Sequence, residues 1–340
     1  MQRRKLLVVG ATACGTILAG CSSSEDDEEP SPVDGDDTEN SNGNEKSDGG
    51  DNTAEETEAE DTEKVIGALV DGDQMHLVVE DVAHRTELGG FFEADEGNEF
   101  VVISLAMKNV SDGFLEVSNL LQASLRDSKD SSYNRTFVGG KEPTFNDGQF
   151  VPGEVGRGII VFEVPEDASG LELQFDFDVS AFGDVNQAHI DLELETNVHT
   201  LEQDLQVEIY SAGQEIEYGG TEVAINSVEF EDNLGRFAKP DPGNEYAVID
   251  ISITNETGEE QRVSTLLQML VKDKKGYSYQ EDWAATTELD QEFDESSPIE
   301  DGETRRGKVV YQVEEDLSPL YWVFEFNMWI NGDKSFWQLR

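Results

Sequence analysis

Cysteine is almost missing from this 340-residue chain: there are two, Cys14 and Cys21, both close to the start. No disulfide can staple a folded domain, and no thiolate zinc site can form later in the chain. Any domain must hold by core packing alone, which calls for ordinary size. Bases are scarce as well, 23 lysines and arginines against 75 acids, for a net charge of −52. With repelling charge and no basic patch, nucleic acid is not expected as a partner. The four histidines, His76, His84, His189 and His199, include no H-x-x-x-H pair. There is no G-x-S-x-G elbow and no complete G-x-x-x-x-G-K-[ST] phosphate loop. With so many carboxylates, any two could be named an acid–base pair, so such a pairing carries no information. No catalytic residue, metal or cofactor is assigned, and the chain is expected not to be an enzyme.

What is present begins with an address. Arg3, Arg4 and Lys5 are the only charges in the first 24 residues, and an apolar run from Leu6 to Leu18 follows. That run is shorter than the roughly 20 residues of a membrane-spanning helix. A basic start, a short apolar run and small residues make a signal peptide, residues 1–20. Leu18-Ala19-Gly20-Cys21 resembles a lipobox, which implies cleavage before Cys21 and lipidation of its thiol. Buried acyl chains contribute about 0.8 kcal/mol per CH₂ to membrane anchoring. Arg3-Arg4 ahead of Leu6-Leu7 resembles a twin-arginine export signal, which carries folded cargo. The expected location is the outer face of the cell membrane.

Residues 22–64 hold 18 acids and two bases, with Val33, Ala54 and Ala59 as the only aliphatic side chains. Such a segment cannot bury enough apolar surface to order itself. Residues 21–64 are therefore expected to be a lipidated, disordered tether, roughly 35–40 Å long as an ideal coil. Most of the acids lie beyond it, so the folded part is acidic too. Such a surface repels itself in dilute salt, whereas molar salt shortens the Debye length to about 3 Å. This composition points to a salt-loving archaeon.

The remainder contains one pattern twice. At an offset of 146, Gly97 to Ile103 matches Gly243 to Ile249, Asn109 meets Asn255, and Val117 to Gln122 meets Val263 to Gln268. Asp127 and Tyr133 meet Asp273 and Tyr279. At an offset of 149, Gly153-Glu154 meets Gly302-Glu303 and Gly158 meets Gly307. A period this long means duplicated domains, expected at 65–198 and 204–340. Each copy reads as β. Phe100 to Met107 is rich in branched and aromatic residues, and Leu171 to Phe177 alternates strictly. One short helix is plausible at Val117 to Leu121 and in its copy, with strand or loop equally open. Short strands separated by turns point to an all-β fold of two tandem antiparallel sandwiches.

Strand, Asn and turn, then Gly153-Glu154, Gly158 and Phe162-Glu163-Val164-Pro165, resemble a secreted immunoglobulin-like domain of unknown function. That domain occurs in bacterial and archaeal lipoproteins, in the superfamily of the mycobacterial immunoprotective extracellular antigen. The second copy departs from it with Glu314 where the first has Pro165. The resemblance implies a cell-surface sandwich with no catalytic residue and no cofactor. Fold alone assigns no function.

Three sequons, at Asn109, Asn134 and Asn255, are candidates for N-glycosylation; asparagine as a plain turn residue is the alternative. Loops at Glu93 to Glu96 and at Asp127 with Asp130 offer oxygens of the type calcium takes, but without EF-hand spacing. The late aromatics, Tyr321, Trp322, Phe324, Phe326, Trp329, Phe336 and Trp337, are expected to fill the second core. The expected role is a non-enzymatic surface lipoprotein, held to the membrane by its lipid and binding an envelope protein or glycan. The alternatives are a structural spacer, and a hydrolase whose site is assembled from distant loops.

Overall fold

The computed structural model describes residues 60–340 except 91, 118–121, 137–142, 146–147, 178–184, 236–237 and 327–333. Arg3, Arg4, Cys21 and the tether up to residue 59 lie outside the described residues. Each half of the described chain is built on two main sheets in one shared strand order, and the first half adds two small two-stranded ones. In the first half, a five-stranded sheet runs Glu60–Ile66, Val185–Glu195, Glu172–Asp176, Gln122–Arg126, Ser132–Asn134. Its four-stranded partner runs Val155–Pro165, Asn98–Asn109, Met75–Arg85, Leu69–Asp71. The second half repeats this with Ile209–Ser211, Lys334–Gln338, Leu320–Glu325, Met269–Asp273, Ser278–Tyr279. Its four-stranded sheet is Thr304–Glu314, Asn244–Asn255, Thr221–Glu231, Glu215–Tyr218. The expected all-β architecture of two tandem sandwiches holds, and only two short helices, Thr265–Gln268 and Trp283–Thr286, are present among the described residues.

The alternation read in the sequence locates the cores. Leu171, Leu173, Phe175 and Phe177 are buried and face Leu77, Ile103 and Phe162 of the other sheet. In the second half Trp322, Phe324 and Trp337 pack against Ile249, Ile251 and Tyr311. The indole N–H of Trp322 donates to the Tyr311 hydroxyl at 3.2 Å, so this buried polar pair is satisfied. The central strands instead read as continuous apolar runs, because both of their faces are covered. Val101, Ile103, Leu105 and Met107 enter the main core, while Phe100 and Val102 pack outward with Leu88, Ile159 and Val161.

The two halves share their irregularities as well. A β-bulge lies between Val79 and Asp81, and another between Ile225 and Ser227, at the same place in the repeat. The matched glycines Gly158 and Gly307 are places where a loop crosses the strand. A Cβ on Gly158 would lie 2.5 Å from the Phe145 nitrogen, and one on Gly307 2.4 Å from the Phe293 Cα.

One expectation changes, and two neighbouring points sharpen. The first strand starts at Glu60, inside the expected tether of 21–64. It is an edge strand held by parallel backbone pairing with Val185–Glu195, which composition cannot report. The plausible helix forms at Thr265–Gln268, capped by the Ser264 hydroxyl, whereas its first-copy counterpart at 118–121 lies outside the described residues. The segment between the expected domains is packed: Leu201 is buried with Val78, Ala106 and Val155.

Candidate functional site

The asparagine and the Gly-Glu pair that recur in the sequence form one corner in each copy. The Asn109 amide nitrogen donates to the Gly113 and Phe150 carbonyls at 2.7 and 2.9 Å, and its oxygen accepts from the Ser111 N–H. Asn255 does the same with Glu259, Ile299 and Thr257. One carboxylate oxygen of Glu154 accepts from the Val151 N–H at 3.0 Å, as one of Glu303 does from Glu300 at 3.0 Å. Gly153 and Gly302 turn the chain at φ +79° and +76°, where glycine alone is unstrained.

In the first copy this corner is the joint to the second. The other Glu154 oxygen meets Lys272 at 2.6 Å and Lys334 at 2.7 Å, and all three side chains are almost wholly buried. Both ammonium groups also lie over the Phe150 ring, at 5.3 and 5.7 Å. Burial would push the Glu154 carboxyl up, but the two lysines outweigh it and hold it below its ordinary value. Burial pulls Lys272 down, while Lys334 goes up despite burial because Glu154 and Glu325 both attract its charge. Nearby, Arg157 is forked onto Glu80 at 2.9 Å, with Glu80 at the first copy's bulge. The same guanidinium donates to the Lys275 and Leu201 carbonyls, and the Arg157 N–H donates to Gly276 at 3.0 Å. Val151, Leu270, Val323 and Phe336 close the apolar part of the joint.

Beside the joint opens a cleft of about 860 Å³, walled by Pro143 and Thr144 of the first copy and mostly by the second. Trp283 lies on it and is 73 % exposed, the most exposed large apolar side chain among the described residues. Its support is rigid. Asp282 caps the helix Trp283–Thr286 by accepting from the Ala285 N–H at 3.0 Å, and the Asp282 N–H donates to Val310 at 2.8 Å. The Thr286 hydroxyl accepts from the Val310 N–H at 3.2 Å. Across the cleft, Asp241 and Gln312 bond each other twice, at 2.9 and 3.1 Å. Burial, then Asp282 and Asp241, push the Tyr246 hydroxyl up, so it stays protonated. The Lys275 and Tyr277 wall is the same backbone that Arg157 grips, and Arg157 lies 5.7 Å over the Tyr277 ring. The joint therefore anchors one wall of the cleft. No histidine lines it.

A family model described as a domain of unknown function, DUF4352, matches residues 65–185 and 210–334. The chain belongs to this family. No curated protein matches it. An uncharacterised β-sandwich protein from Clostridium difficile is 19 % identical and aligns over 39 % of this chain and 95 % of its own, with a TM-score of 0.29. A conserved hypothetical protein from Bacillus anthracis is 22 % identical over 38 % and 95 %, at 0.32. A secreted protein from Mycobacterium tuberculosis is 12 % identical over 39 % and 98 %, at 0.31.

Within the two DUF4352 copies the sequence-predicted sites fare differently. Asn109 and Asn255 are fully buried with both amide hydrogens engaged, so the folded copies offer neither nitrogen to a glycan. The plain turn-residue reading accounts for both. Asn134 is exposed on the edge strand Ser132–Asn134 and keeps its glycan reading. Asp127 spends its oxygens on the Lys129 and Ser131 N–H groups and the Tyr133 hydroxyl, and Asp273 does the same with Lys275, Tyr277 and Tyr279. This explains why Asp and Tyr recur together; the carboxylate braces a turn. His76, His84 and His189 each hold their own carboxylate, Asp71, Glu99 and Glu172. His76 and His84 are eight residues apart on one strand, roughly 26 Å, and do not meet. Gly302 to Lys308 has the glycine and lysine spacing of a phosphate loop, but Val309 stands where Ser or Thr would, and Thr304–Glu314 is a strand. Of the late aromatics, Trp322, Phe324, Phe326 and Trp337 fill the second core as expected, whereas Phe336 and the partly buried Tyr321 pack at the joint, and Trp329 lies outside the described residues. Sequence reading missed Trp283. Its signal is a lone aromatic after Gln280-Glu281-Asp282, outside any alternating run.

Proposed function

We propose that this chain is an exported, lipid-anchored surface protein of a salt-loving archaeon, whose DUF4352 pair binds an envelope component without catalysing a reaction. The observation that carries the binding role is the seam cleft, with its exposed Trp283 on a rigid pedestal. Clefts between domains are the usual place for ligands, and exposed aromatics are the usual contact residues. The anchor rests on Leu18-Ala19-Gly20-Cys21 after a basic and apolar leader, and the brine setting on the net charge of −52. A purely structural spacer is the second reading, favoured by the buried Glu154 joint, which makes the pair a stiff unit. A hydrolase assembled from distant loops is the third; the cleft, lacking histidine, gives it no support.

Intact-mass measurement on protein from native membranes tests the anchor. The expected chain begins at a lipid-modified Cys21, and the Cys21→Ser variant stays unprocessed or escapes to the medium. An unmodified full-length chain in the cytosol would overturn the surface reading.

A further inference from the structure

Among the described residues, the other clusters of charged side chains are already occupied. The joint's buried charges pair with each other, three histidines each hold a carboxylate, and the turn aspartates are spent on backbone N–H groups. The seam cleft differs, because its polar side chains are of every kind. Asp241, Glu281, Asp282 and Glu314 can only accept hydrogen bonds when ionised, Lys239 and Lys275 can only donate, and Asn244 and Gln280 do both. A cation would want acceptors alone, and the two lysines oppose it. An anion would want donors alone, and the four carboxylates oppose it. A neutral ligand dense in hydroxyls uses both, since each hydroxyl donates once and accepts twice. Such a ligand also needs an apolar platform, and Trp283 presents one.

We infer that the seam cleft is a saccharide-binding site, in which the Trp283 indole stacks on the C–H face of a neutral sugar ring. Asn244, Gln280 and the unbonded oxygen of Asp282 lie in the same lining to meet its hydroxyls. The site deepens the surface-binding role and rests on it for access to glycans outside the cell. The capped helix holds the Trp283 backbone in place before binding, so only the side chain has to be ordered. A neutral ligand also suits brine, where a charged contact would be screened.

The test uses the full chain in molar KCl. Cellohexaose, chitohexaose and maltohexaose are titrated while heat and tryptophan emission are followed. Trp322 and Trp337 are fully buried, and the titrations are run in a Trp329→Phe background, so protection of an exposed indole from acrylamide reports on Trp283. At least one hexasaccharide is expected to bind and protect it. Trp283→Ala should weaken that binding by about tenfold or more, and Trp283→Phe by much less, because a smaller ring still stacks. Both variants should melt with the wild type, and Asn244→Ala should weaken binding while leaving the indole exposed. Binding that survives in Trp283→Ala overturns the proposal. So does failure of all three sugars to protect the indole, or tighter binding of choline or inorganic phosphate than of any sugar. An unlipidated cytosolic chain that still binds a hexasaccharide would sink the surface reading and keep the site; a lipidated chain that binds none would do the reverse.

Discussion

Glu154 and Glu303 hold the same position of the repeat and make the same turn bond, yet their second oxygens do opposite things. In the first copy that oxygen is sealed between Lys272 and Lys334; in the second it lies near the surface beside Arg305, at 2.8 Å. Arg157 and Arg306 diverge likewise. The first ties its own sheet to the second copy and the connecting segment, whereas the second is half exposed and, among the described residues, pairs with Asp250. Even the turn glycines differ. A Cβ on Gly153 would lie 1.7 Å from the Asp204 carbonyl oxygen, while one on Gly302 would meet nothing within 4 Å. Duplication supplied a self-sufficient corner twice, and the first copy's corner was then covered by its neighbour. The lesson is that a matched residue reports its local bond, not its environment.

The comparison breaks most sharply at the joint. Glu154→Ala leaves Lys272 buried without its anion and Lys334 with Glu325 alone, and should cost about 3–5 kcal/mol in guanidinium unfolding. Glu303→Ala should leave the midpoint where it is. Replacing Glu154, Lys272, Lys334 and Glu325 together by Leu, Met, Met and Gln should recover most of the loss, since a buried charge cluster is replaceable by apolar packing once no member is left unpaired. The same contrast has a pH signature. The Glu154 carboxyl is held below its ordinary value of 4.5, so its contribution is complete above that value and fades as pH falls through the folded one. The stability gap between wild type and Glu154→Gln should be constant from pH 7 to 5 and close below 4.5. A gap that widens in acid would mean the carboxyl is protonated in the fold.

The glycines give the next effect. Gly302→Ala should cost about 1–2 kcal/mol for its positive φ alone. Gly153→Ala should cost clearly more, and should open the segment around Asp204 to proteolysis. Equal losses would show that this segment does not pack on the corner. A symmetrical pair sharpens the comparison: Asn109→Ala and Asn255→Ala each strip a buried network and should each cost about 1–3 kcal/mol. The smallest effect is at Asn134. Asn134→Gln should leave the unfolding curve unchanged and remove any hexose increments from the intact mass, whereas wild-type protein should carry none at Asn109 or Asn255.

Much of the fold was legible because its signals are local. Leu171 to Phe177 declared a half-buried strand by alternation, and Phe100 to Met107 a fully buried one by its apolar run. The paired offsets announced two copies before any strand was placed. The candidate site was not legible. Trp283 sits in a polar stretch whose meaning depends on Pro143 and Thr144, some 140 residues away in sequence. The edge strand Glu60–Ile66 was hidden for another reason: it is held by backbone pairing, and backbone hydrogen bonds leave no mark on side-chain composition.

By itself, then, the sequence determined the duplication, the β class and most of the side chains that fill each core, because periodicity, turn chemistry and composition act over a few neighbouring residues. Tertiary structure alone decided that Glu154 is a joint and Glu303 a surface residue, that Asn109 and Asn255 are braces, and that Trp283 faces an open cleft. Burial is a property of what a distant segment covers, and no local pattern carries that information.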